Sequence, residues 1–433
     1  MNEPQRREIL ELIFGRDGLC PGFSKMFLDV YHEGLTGKEN DNADPYALAP
    51  GGYNHVMTTR WMCYFNSQGQ RMTRERGEDL IILTTLYGPA PWMTQQKYIL
   101  GRDLDPASKE ELAEYMVSWV KYLHEAERLP VRYLSLHNEG DAYYRWPRDG
   151  SHPGEAHRDY NMYWPPQQVV DILKITRKML DRHGLHQVGL TPGETQTWYR
   201  FDEWGYARAL FSDADALSAL ALITSHSFSN SRNRTSIYYG DFRSIGMDLL
   251  RSKKPGLHAW VTSMSWGDMD VDFVDNIRRN IYLCKCNGLM PWACIQRSSQ
   301  WIGGDPNPGT AIRVNEDGSY SVLPGYYFYK QVTRAGQPGM QVADVQSLDP
   351  ALGAIAFAGA GTDHPDAFIL INLSEEVKQT VIHVRGSATD TFHGHRTSAG
   401  ELYCGIGRYT IRDSELRYSA PPRSVTTFYA QQP

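Results

Sequence analysis

Between about residues 75 and 295, short apolar runs alternate with stretches whose hydrophobic residues recur at helical spacing. This alternation constrains the fold most, because parallel strands joined by crossover helices produce it. Seven apolar runs are strand candidates, at 22–31, 80–88, 132–139, 187–194, 221–228, 258–263 and 288–295. Each run ends in polar residues, and in a parallel barrel the functional groups gather at the carboxyl ends of the strands. The pattern predicts an α/β fold, a (β/α)8 TIM barrel.

Two of the intervening helices can be read from the sequence. In the stretch 108–123, apolar residues at three-and-four spacing form one stripe, and Ser108 with Glu111 predicts a capping box. The stretch 167–184 ends in Gly184, which is typical of a left-handed C-terminal cap. Helices of this length are long enough to connect neighbouring parallel strands.

The seven candidates leave one strand of an eight-stranded barrel unassigned. We expect it either before Met1, since the chain opens directly on the helical pattern "REILELIF", or within the first hundred residues. After about residue 330 short alternating strands are separated by Gly, Asp and Pro, which is typical of an antiparallel β-sandwich. We therefore predict a catalytic barrel over 1–330 and a C-terminal antiparallel β-sandwich side domain over 331–433.

Charge and composition exclude several classes of function. The net charge of -6 and the pI near 6.2 provide no basic field, so a nucleic acid partner is not expected. No stretch approaches the roughly 20 apolar residues of a membrane span. The opening lacks the apolar region of a signal peptide, so we expect a cytoplasmic protein, or a secreted one if a signal peptide has been removed.

The cysteines do not predict a metal site or a disulfide framework. All six are widely spread except for the pair in "CKC", which has no second pair to complete a zinc site. We interpret them as packing residues or free thiols. No metal and no other cofactor is expected.

The stretch "LSLHNEGD" places Asn138 and Glu139 at the end of a buried strand, with no obvious basic partner beside them. A carboxyl group at the rim of an apolar barrel is partly desolvated, which raises its pKa and suits it to act as a general acid near neutral pH. Asn138 is a neutral donor suited to a sugar hydroxyl. The alternative is that the segment starts a loop and caps a helix.

The Asn138–Glu139 pair on the fourth strand resembles the acid/base motif of the clan A retaining glycoside hydrolases. Further stretches resemble glycoside hydrolase family 30, at 7–30, 88–93, 225–228 and 421–428. The resemblance implies a β-linked glycan or glycoside, an oligosaccharide for example, as substrate. It also implies that Glu139 is the acid/base.

In that family the seventh strand commonly ends in a Trp-x-Thr-Glu pattern whose Glu is the nucleophile, and this sequence reads "WVTS" at 260–263. The resemblance implies that Ser263 occupies the nucleophile position. A retaining glycosidase needs two carboxyl groups about 5–5.5 Å apart, and no Gly-x-Ser-x-Gly elbow surrounds Ser263. We predict a retaining glycoside hydrolase in a nucleophile-substituted form that is inactive or glycosynthase-like.

Three explanations of Ser263 stay open. The chain is an engineered nucleophile variant, suited to retaining substrate or to coupling a sugar fluoride of inverted configuration. Alternatively, it is a natural carbohydrate-binding pseudoenzyme without hydrolytic activity. In the third explanation, the register assumed for the seventh strand is wrong, and another acid serves in place of position 263. The candidates are Glu194, Asp268 and Asp270. A serine–histidine pair is disfavoured, because His258 lies five residues upstream on the opposite face of the same strand.

Other residues are candidates for substrate binding. His226 is implied to hydrogen-bond near the nucleophile position, and a structural histidine is the alternative. Phe228 stands where the family usually has Tyr, so that hydroxyl is missing. Asp29 on the second strand is a candidate for a sugar hydroxyl or an ordinary loop-start residue. Arg145, Arg148 and Arg297 are candidates for holding an acidic sugar, or are solvated loop residues.

Tryptophan rings stack on the C–H faces of sugars, and several follow or end barrel strands. The candidates are Trp92, Trp146, Trp266, Trp292 and Trp301. We expect two or three to be stacking platforms and the others to pack in the protein. Trp292 resembles the strand-eight Trp of the family, which implies the floor of the −1 subsite.

Overall fold

The computed structural model describes residues 1–28, 55, 59–154, 161–228, 242–264, 267–297 and 309–431. The helices in these ranges are α1 (Glu3–Phe14), α2 (Arg60–Glu75), α3 (Lys109–Glu125), α4 (Pro166–Arg182), α5 (Trp198–Glu203), α6 (Tyr206–Ser212), α7 (Ala214–Ala219), α8 (Ile245–Lys253), α9 (Val271–Tyr282) and α10 (Pro324–Ala335). Short 3-10 helices lie at Pro91–Met93, Pro106–Ser108 and Tyr143–Arg145.

The strands fall into a first, largely parallel set and a second, antiparallel set. The first set is β1 (Phe23–Leu28), β2 (Ile81–Leu86), β3 (Val131–Ser135), β4 (Gly189–Thr191), β5 (Leu222–Ser227), β6 (His258–Met264) and β7 (Gly288–Pro291). Three short strands follow, β8 (Ile295–Gln296), β9 (Ile312–Val314) and β10 (Tyr320–Val322). The second set is β11 (Gln341–Ala343), β12 (Leu352–Ala358), β13 (Ala367–Asn372), β14 (Lys378–His383), β15 (Thr391–Ser398), β16 (Glu401–Thr410), β17 (Glu415–Ala420) and β18 (Ser424–Ala430).

The strands β1 to β7 pair in chain order and all run parallel. One sheet has the order β1-β2-β3-β4, and a second has the order β5-β6-β7. Two isolated parallel bridges, Leu190 with Leu220 and Thr195 with Ser225, connect the sheets along β4 and β5. Each of the seven predicted strand runs overlaps one of these strands. The prediction of parallel strands alternating with helices is therefore confirmed.

The two sheets curve toward each other around an apolar interior. The rings of Phe23 on β1 and Trp260 on β6 lie 4.4 Å apart, although these strands do not pair with each other. Tyr133 on β3 approaches the same Trp260 ring at 5.3 Å. Leu83 and Leu222 complete this small buried cluster, which fills the space near the amino ends of the strands. The polar groups of these strands therefore lie at the opposite, carboxyl ends.

The helix ends follow local sequence signals only in part. The predicted capping box at Ser108 and Glu111 is wrong, since the Ser108 side chain makes no capping hydrogen bond. The chain enters α3 through the 3-10 turn Pro106–Ser108, which Asp105 caps instead, so Ser108 is not in the extended conformation of an N-cap. The predicted cap after α4 is confirmed, because Gly184 has a φ of 72°.

The C-terminal strands form an antiparallel sheet of order β11-β12-β13-β18-β15-β16, and β14 pairs with β17 beside it. One face of the large sheet packs against the β14–β17 ribbon through a separate apolar cluster. The members of that cluster are Phe368, Leu370, Phe392, Leu416, Tyr418, Ala420 and Phe428. The alternate residues of β13, Ile369 and Ile371, belong to the main core. Side chains on a strand alternate between faces, so β13, in the interior of this sheet, is buried on both faces.

The two parts of the chain are joined by helix packing and polar contacts. Helices α9 and α10 pack on the large antiparallel sheet. Gln331 in α10 hydrogen-bonds Thr397 at 2.9 Å, and Arg423 pairs with Asp272 in α9 at 2.8 Å. The predicted domain boundary between residues 330 and 331 falls inside α10 and stays a prediction.

Within the described ranges, no helix is both long and apolar enough to cross a bilayer. The six cysteines all lie in described parts of the chain, and none forms a disulfide.

We expect Trp260→Ala to lower the free energy of unfolding by about 3–5 kcal/mol, because the truncation leaves a cavity between strands that face each other. Urea unfolding followed by circular dichroism measures this. Trp61→Ala is the control, since Trp61 is 39% exposed and should cost less than about 1 kcal/mol. A similar small cost for both variants would contradict a closely packed interior.

Candidate active site

The candidate site lies where β3 and β4 end. Asn138 and Glu194 form a parallel bridge, and the Glu139 N–H donates to the Glu194 carbonyl at 2.7 Å. Glu139 has a φ of 44°, in the left-handed region that a residue with a side chain enters at a cost of about 1–2 kcal/mol. The turn before Glu194 requires Gly193, at φ 102°, where an added Cβ would lie 2.2 Å from the His137 ring. The backbone thus fixes both carboxyl groups.

Three side chains donate to the Glu139 carboxylate. His226 Nδ1 lies 3.1 Å from Oε1, Gln196 Nε2 lies 2.8 Å from Oε2, and Arg145 forms an ion pair with Oε2. Burial alone would raise the pKa of Glu139, but the Arg145 charge and the His226 and Gln196 contacts hold it below its usual range. The expectation of a raised pKa without a basic partner is therefore wrong. The partner, Arg145, comes six residues later on a 3-10 turn.

Glu194 provides a second carboxyl group next to the first. His226 Nε2 lies 2.9 Å from Glu194 Oε2, and Thr85 donates to Oε1 at 2.6 Å. Lys25 on β1 forms a buried ion pair with Oε2. Burial would raise the pKa of Glu194, but Lys25 and His226 lower it to about 2. Glu194 is therefore an ionised carboxylate inside the protein.

His226 on β5 lies between the two carboxylates and contacts each with one ring nitrogen. Burial would lower its pKa, but the hydrogen bonds to Glu139 and Glu194 outweigh it and raise that pKa. His137, which is also buried, is the opposite case, because desolvation lowers its pKa to about 3 and leaves it neutral. The pKa values of the two buried histidines are therefore shifted in opposite directions.

Ser263 is buried in β6 beside this cluster. Val261 pairs with Ser225 and Met264 with Ser227, so Thr262 and Ser263 together lie opposite the single residue His226. Lys25 Nζ also approaches the Thr262 carbonyl at 3.4 Å. Ser263 is thus at the same end of the strands as Glu139.

A second polar layer supports Glu139 from the outside. Gln196, which donates to Glu139, accepts from Tyr144 Oη at 2.8 Å and also from Arg200. Arg200 pairs with the buried Asp141 at 2.7 Å, and Asp141 accepts from the Gln196 N–H at 3.1 Å. Sequence reasoning missed these residues because they lie just after Glu139, on the loop after β4 and in α5, with no motif to mark them.

Lys25 was also missed, although the sequence contains a signal. It stands in the strand "FSKMFL", where an inward-facing lysine needs a buried anion. Glu194 was considered as one of three alternative acids. Asp270, another of the three, caps α9 by accepting from the Asp272 and Phe273 N–H groups. Glu194 contacts His226, which in turn contacts Glu139.

The other predicted binding residues differ in placement. The Asn138 side-chain amide lies 3.1 Å from that of Asn161. Trp92 is partly buried in the 3-10 turn after β2, and Trp292 follows β7 with its ring 5.5 Å from Phe27. Trp146 is buried and donates to the Leu100 carbonyl at 2.6 Å, which is a packing contact and leaves little ring surface for a sugar.

Asp29, Trp266 and Trp301 lie outside the described residues. Of the three arginines considered for an acidic sugar, Arg145 pairs with Glu139 and Arg297 pairs with Glu316 at 3.0 Å. Arg148 is exposed on the loop after Arg145. In the described ranges, no group of three or more His, Cys, Asp or Glu side chains is arranged to hold a metal ion.

Parallel strands in chain order, followed by an antiparallel β-rich unit, define an α/β fold with carboxyl groups at the ends of its parallel strands. No protein-family model matches the chain, and no curated protein does. Solved structures match it over nearly its whole length. The catalytic domain of GH30 xylanase C from Talaromyces cellulolyticus has a TM-score of 0.75 at 13% identity, covering 100% of this chain and 93% of that chain.

Two bacterial enzymes give similar results. A glycoside hydrolase family 30 subfamily 8 xylanase from Clostridium acetobutylicum has a TM-score of 0.70 at 18% identity, covering 98% of this chain and 92% of that chain. A GH30 endoxylanase from Clostridium papyrosolvens C71 has a TM-score of 0.68 at 15% identity, with the same coverage of 98% and 92%. At these identities the likeness establishes the fold alone, which agrees with the predicted parallel strands followed by an antiparallel part. Closure of the parallel strands into a (β/α)8 barrel stays a prediction.

We expect Arg145→Met to lower the free energy of unfolding by about 2 kcal/mol at pH 7, less than for a fully buried pair because the Arg145 side chain is 20% exposed. The depressed pKa of Glu139 stabilises the fold above its ordinary value of 4.5, and this contribution is lost as pH falls. The difference from the parent should therefore shrink at acid pH. Urea unfolding at several pH values measures it, and the exposed Arg148→Met is the control. A pH-independent difference would contradict the assignment.

Proposed function

We propose that the protein is a (β/α)8-barrel glycoside hydrolase of the retaining type, acting on a β-linked glycan, with its nucleophile position occupied by Ser263. In this assignment β1 to β7 are strands two to eight of the barrel. Glu139 is the acid/base at the end of strand four, and Ser263 lies at the end of strand seven. The Ser263 form is nearly inactive as a hydrolase.

The charge of the buried cluster carries this proposal. With His226 as an imidazolium, Lys25, Arg145 and His226 are three positive groups, and Glu139 and Glu194 are two negative ones. The five described groups leave one positive charge unbalanced in a region of low dielectric, which is costly. A carboxylate at position 263, opposite His226, would balance it. The surroundings of Ser263 therefore favour an anion at this position.

The ionised state of Glu139 also supports a site that lacks its second carboxylate. A general acid must be protonated when substrate arrives, and a like charge nearby is what raises a carboxyl pKa. With serine, position 263 supplies no such charge, and Arg145, His226 and Gln196 outweigh the effect of burial on the pKa of Glu139. Glu139 is then a poor acid at neutral pH.

We propose a β-linked glycan as the substrate. The structural neighbours indicate which glycosides should be tested first. Three of them are named as xylanases. Aryl β-xylosides and xylo-oligosaccharides therefore come first in a panel that also includes β-glucosides, β-galactosides, β-fucosides and β-glucuronides.

Ser263→Glu should increase hydrolysis of aryl β-glycosides by roughly 10⁴-fold, by analogy with the loss of single catalytic groups in other hydrolases. Ser263→Gln has a similar volume without the charge and should stay inactive. In the Ser263→Glu background, Glu139→Gln should cost about 10²–10⁴-fold on glycosides with poor leaving groups. It should cost much less on dinitrophenyl glycosides, which need no proton.

Two outcomes would overturn this assignment. If Ser263→Glu stays inactive while the unaltered chain binds glycans with micromolar affinity, the protein is a carbohydrate-binding pseudoenzyme. If the unaltered chain already hydrolyses glycosides and Glu139→Gln abolishes this, another acid serves, and Glu194 is then the residue to test.

The new carboxylate should also raise the pKa of Glu139. We expect NMR of carboxyl-labelled glutamate to show a higher pKa for Glu139 in Ser263→Glu than in Ser263→Gln, because like charges oppose ionisation. The basic limb of the kcat/KM profile of Ser263→Glu should follow the same value. Equal pKa values in the two variants would place position 263 too far from Glu139.

A further inference from the structure

Five side chains of alternating charge form a continuous line through the candidate site. The order is Lys25, Glu194, His226, Glu139 and Arg145, and each contacts the next. They come from β1, from the end of β4, from β5 and from the segment after β3. Glu139 and Arg145 lie at the more exposed end of the line, and Lys25 and Glu194 lie at the buried end.

The hydrogen-bond geometry determines the protonation state of His226. Both of its ring nitrogens lie within 3.1 Å of carboxylate oxygens, Nδ1 facing Glu139 and Nε2 facing Glu194. A neutral imidazole has one N–H, so one of the two contacts would then join two acceptors. Both carboxylates have further donors that favour their ionised forms, Lys25 and Thr85 for Glu194 and Arg145 for Glu139. His226 therefore carries both protons.

Glu194 is not placed to contact a ligand directly, so any effect that it has on a ligand passes through another residue. Its side chain is fully buried, and its oxygens are occupied by Thr85, Lys25 and His226. The Lys25 side chain is 3% exposed, and its ammonium group contacts Glu194 and the Thr262 carbonyl. Neither residue is placed to touch a sugar. Their effect must reach Glu139 through His226.

We propose that Glu194 and Lys25 are positioning residues, which hold His226 as a doubly protonated imidazolium and through it orient and ionise Glu139. Lys25 keeps Glu194 ionised, Glu194 keeps His226 charged, and His226 donates to Glu139. In the hydrolase this line also determines how readily Glu139 takes up the proton that it must deliver. That last role rests on the proposed function, whereas the state of His226 does not.

The charged groups near His226 in the described part of the chain fit this assignment. From β1 comes Lys25, whose direct effect lowers the pKa of His226, and from the β3 exit come Glu139 and the neutral His137. Glu194 comes from the β4 exit. From β6 come Thr262 and Ser263, which carry no charge. Glu194 is thus the anion whose removal leaves His226 with a single carboxylate.

The test is the titration of His226 in the full chain by NMR with labelled histidine, its signal assigned from the loss of one resonance in His226→Asn. We expect both ring nitrogens to be protonated at pH 7. Glu194→Gln should reduce the proton affinity of His226 at least about tenfold, and Glu194→Asp should restore part of it. Asp275→Asn is the control, since Asp275 is a buried acid that pairs with Arg278 and Arg279 in α9.

The milder variant Thr85→Val keeps the proposal testable if Glu194→Gln fails to fold. It removes one donor that competes for the Glu194 carboxylate, which Lys25 keeps ionised, and should raise the proton affinity of His226 by a small factor. A singly protonated His226 in the unaltered chain, or an unchanged titration in all Glu194 and Thr85 variants, would overturn the proposal.

Kinetics in the Ser263→Glu background separate this proposal from the proposed function. There Glu194→Gln should lower kcat at least about tenfold and move the basic limb of the pH profile, with little change in KM because Glu194 does not touch substrate. If Ser263→Glu is inactive but His226 titrates as expected, the proposed function fails and the charge line stands. If Ser263→Glu is active and Glu194→Gln alters neither kcat nor the profile, the positioning role fails alone.

Discussion

The candidate site depends on one imidazolium that lies between two carboxylates. His226 is the single group that connects Glu139 at the end of β3 with Glu194 at the end of β4, and it does so from β5 in the neighbouring sheet. Two like charges at this separation would repel if the ring were neutral. Because the ring is charged, it attracts both carboxylates. This attraction acts between the sheet that contains β3 and β4 and the sheet that contains β5. The contacts of His226 with Glu139 and Glu194 therefore also hold the carboxyl ends of these strands together.

The backbone makes this arrangement possible at a local cost. Glu139 adopts a left-handed conformation, and its N–H donates to the carbonyl of Glu194. A residue in this region of φ persists only where its surroundings fix it, and such positions are concentrated at functional sites. Here the fixing contacts are the bridge to Glu194, the ion pair with Arg145 and the hydrogen bond from Gln196. Strain at Glu139 and the dense set of donors around it are thus two aspects of one constraint.

Much of the fold could be predicted from the sequence, because it depends on periodicity. Apolar runs predicted β1 to β7, and Gly184 predicted the end of α4. The site was predictable only where a motif marked it, as at Asn138, Glu139 and His226, whose roles as site residues stay predictions. Arg145, Gln196 and Lys25 approach the carboxylates from three different segments. The fold of the sheets brings Lys25 and Gln196 close, and the 3-10 turn after Glu139 brings Arg145 close. No local pattern encodes either, and for this reason the predicted direction of the Glu139 pKa shift is wrong.

The buried charge explains why a single position can determine whether such a site reacts. Around Glu139 and Glu194 the protein supplies Lys25, Arg145 and His226, so the described cluster is positive by one charge unless position 263 contributes an anion. With a carboxylate there, the positive groups are shared among three anions, and Glu139 can hold a proton between steps. With Ser263 the three positive groups act on only two anions, and Glu139 stays ionised. In the proposed assignment, a change at one residue thus removes the attacking group and, through the charge balance, also impairs the acid Glu139.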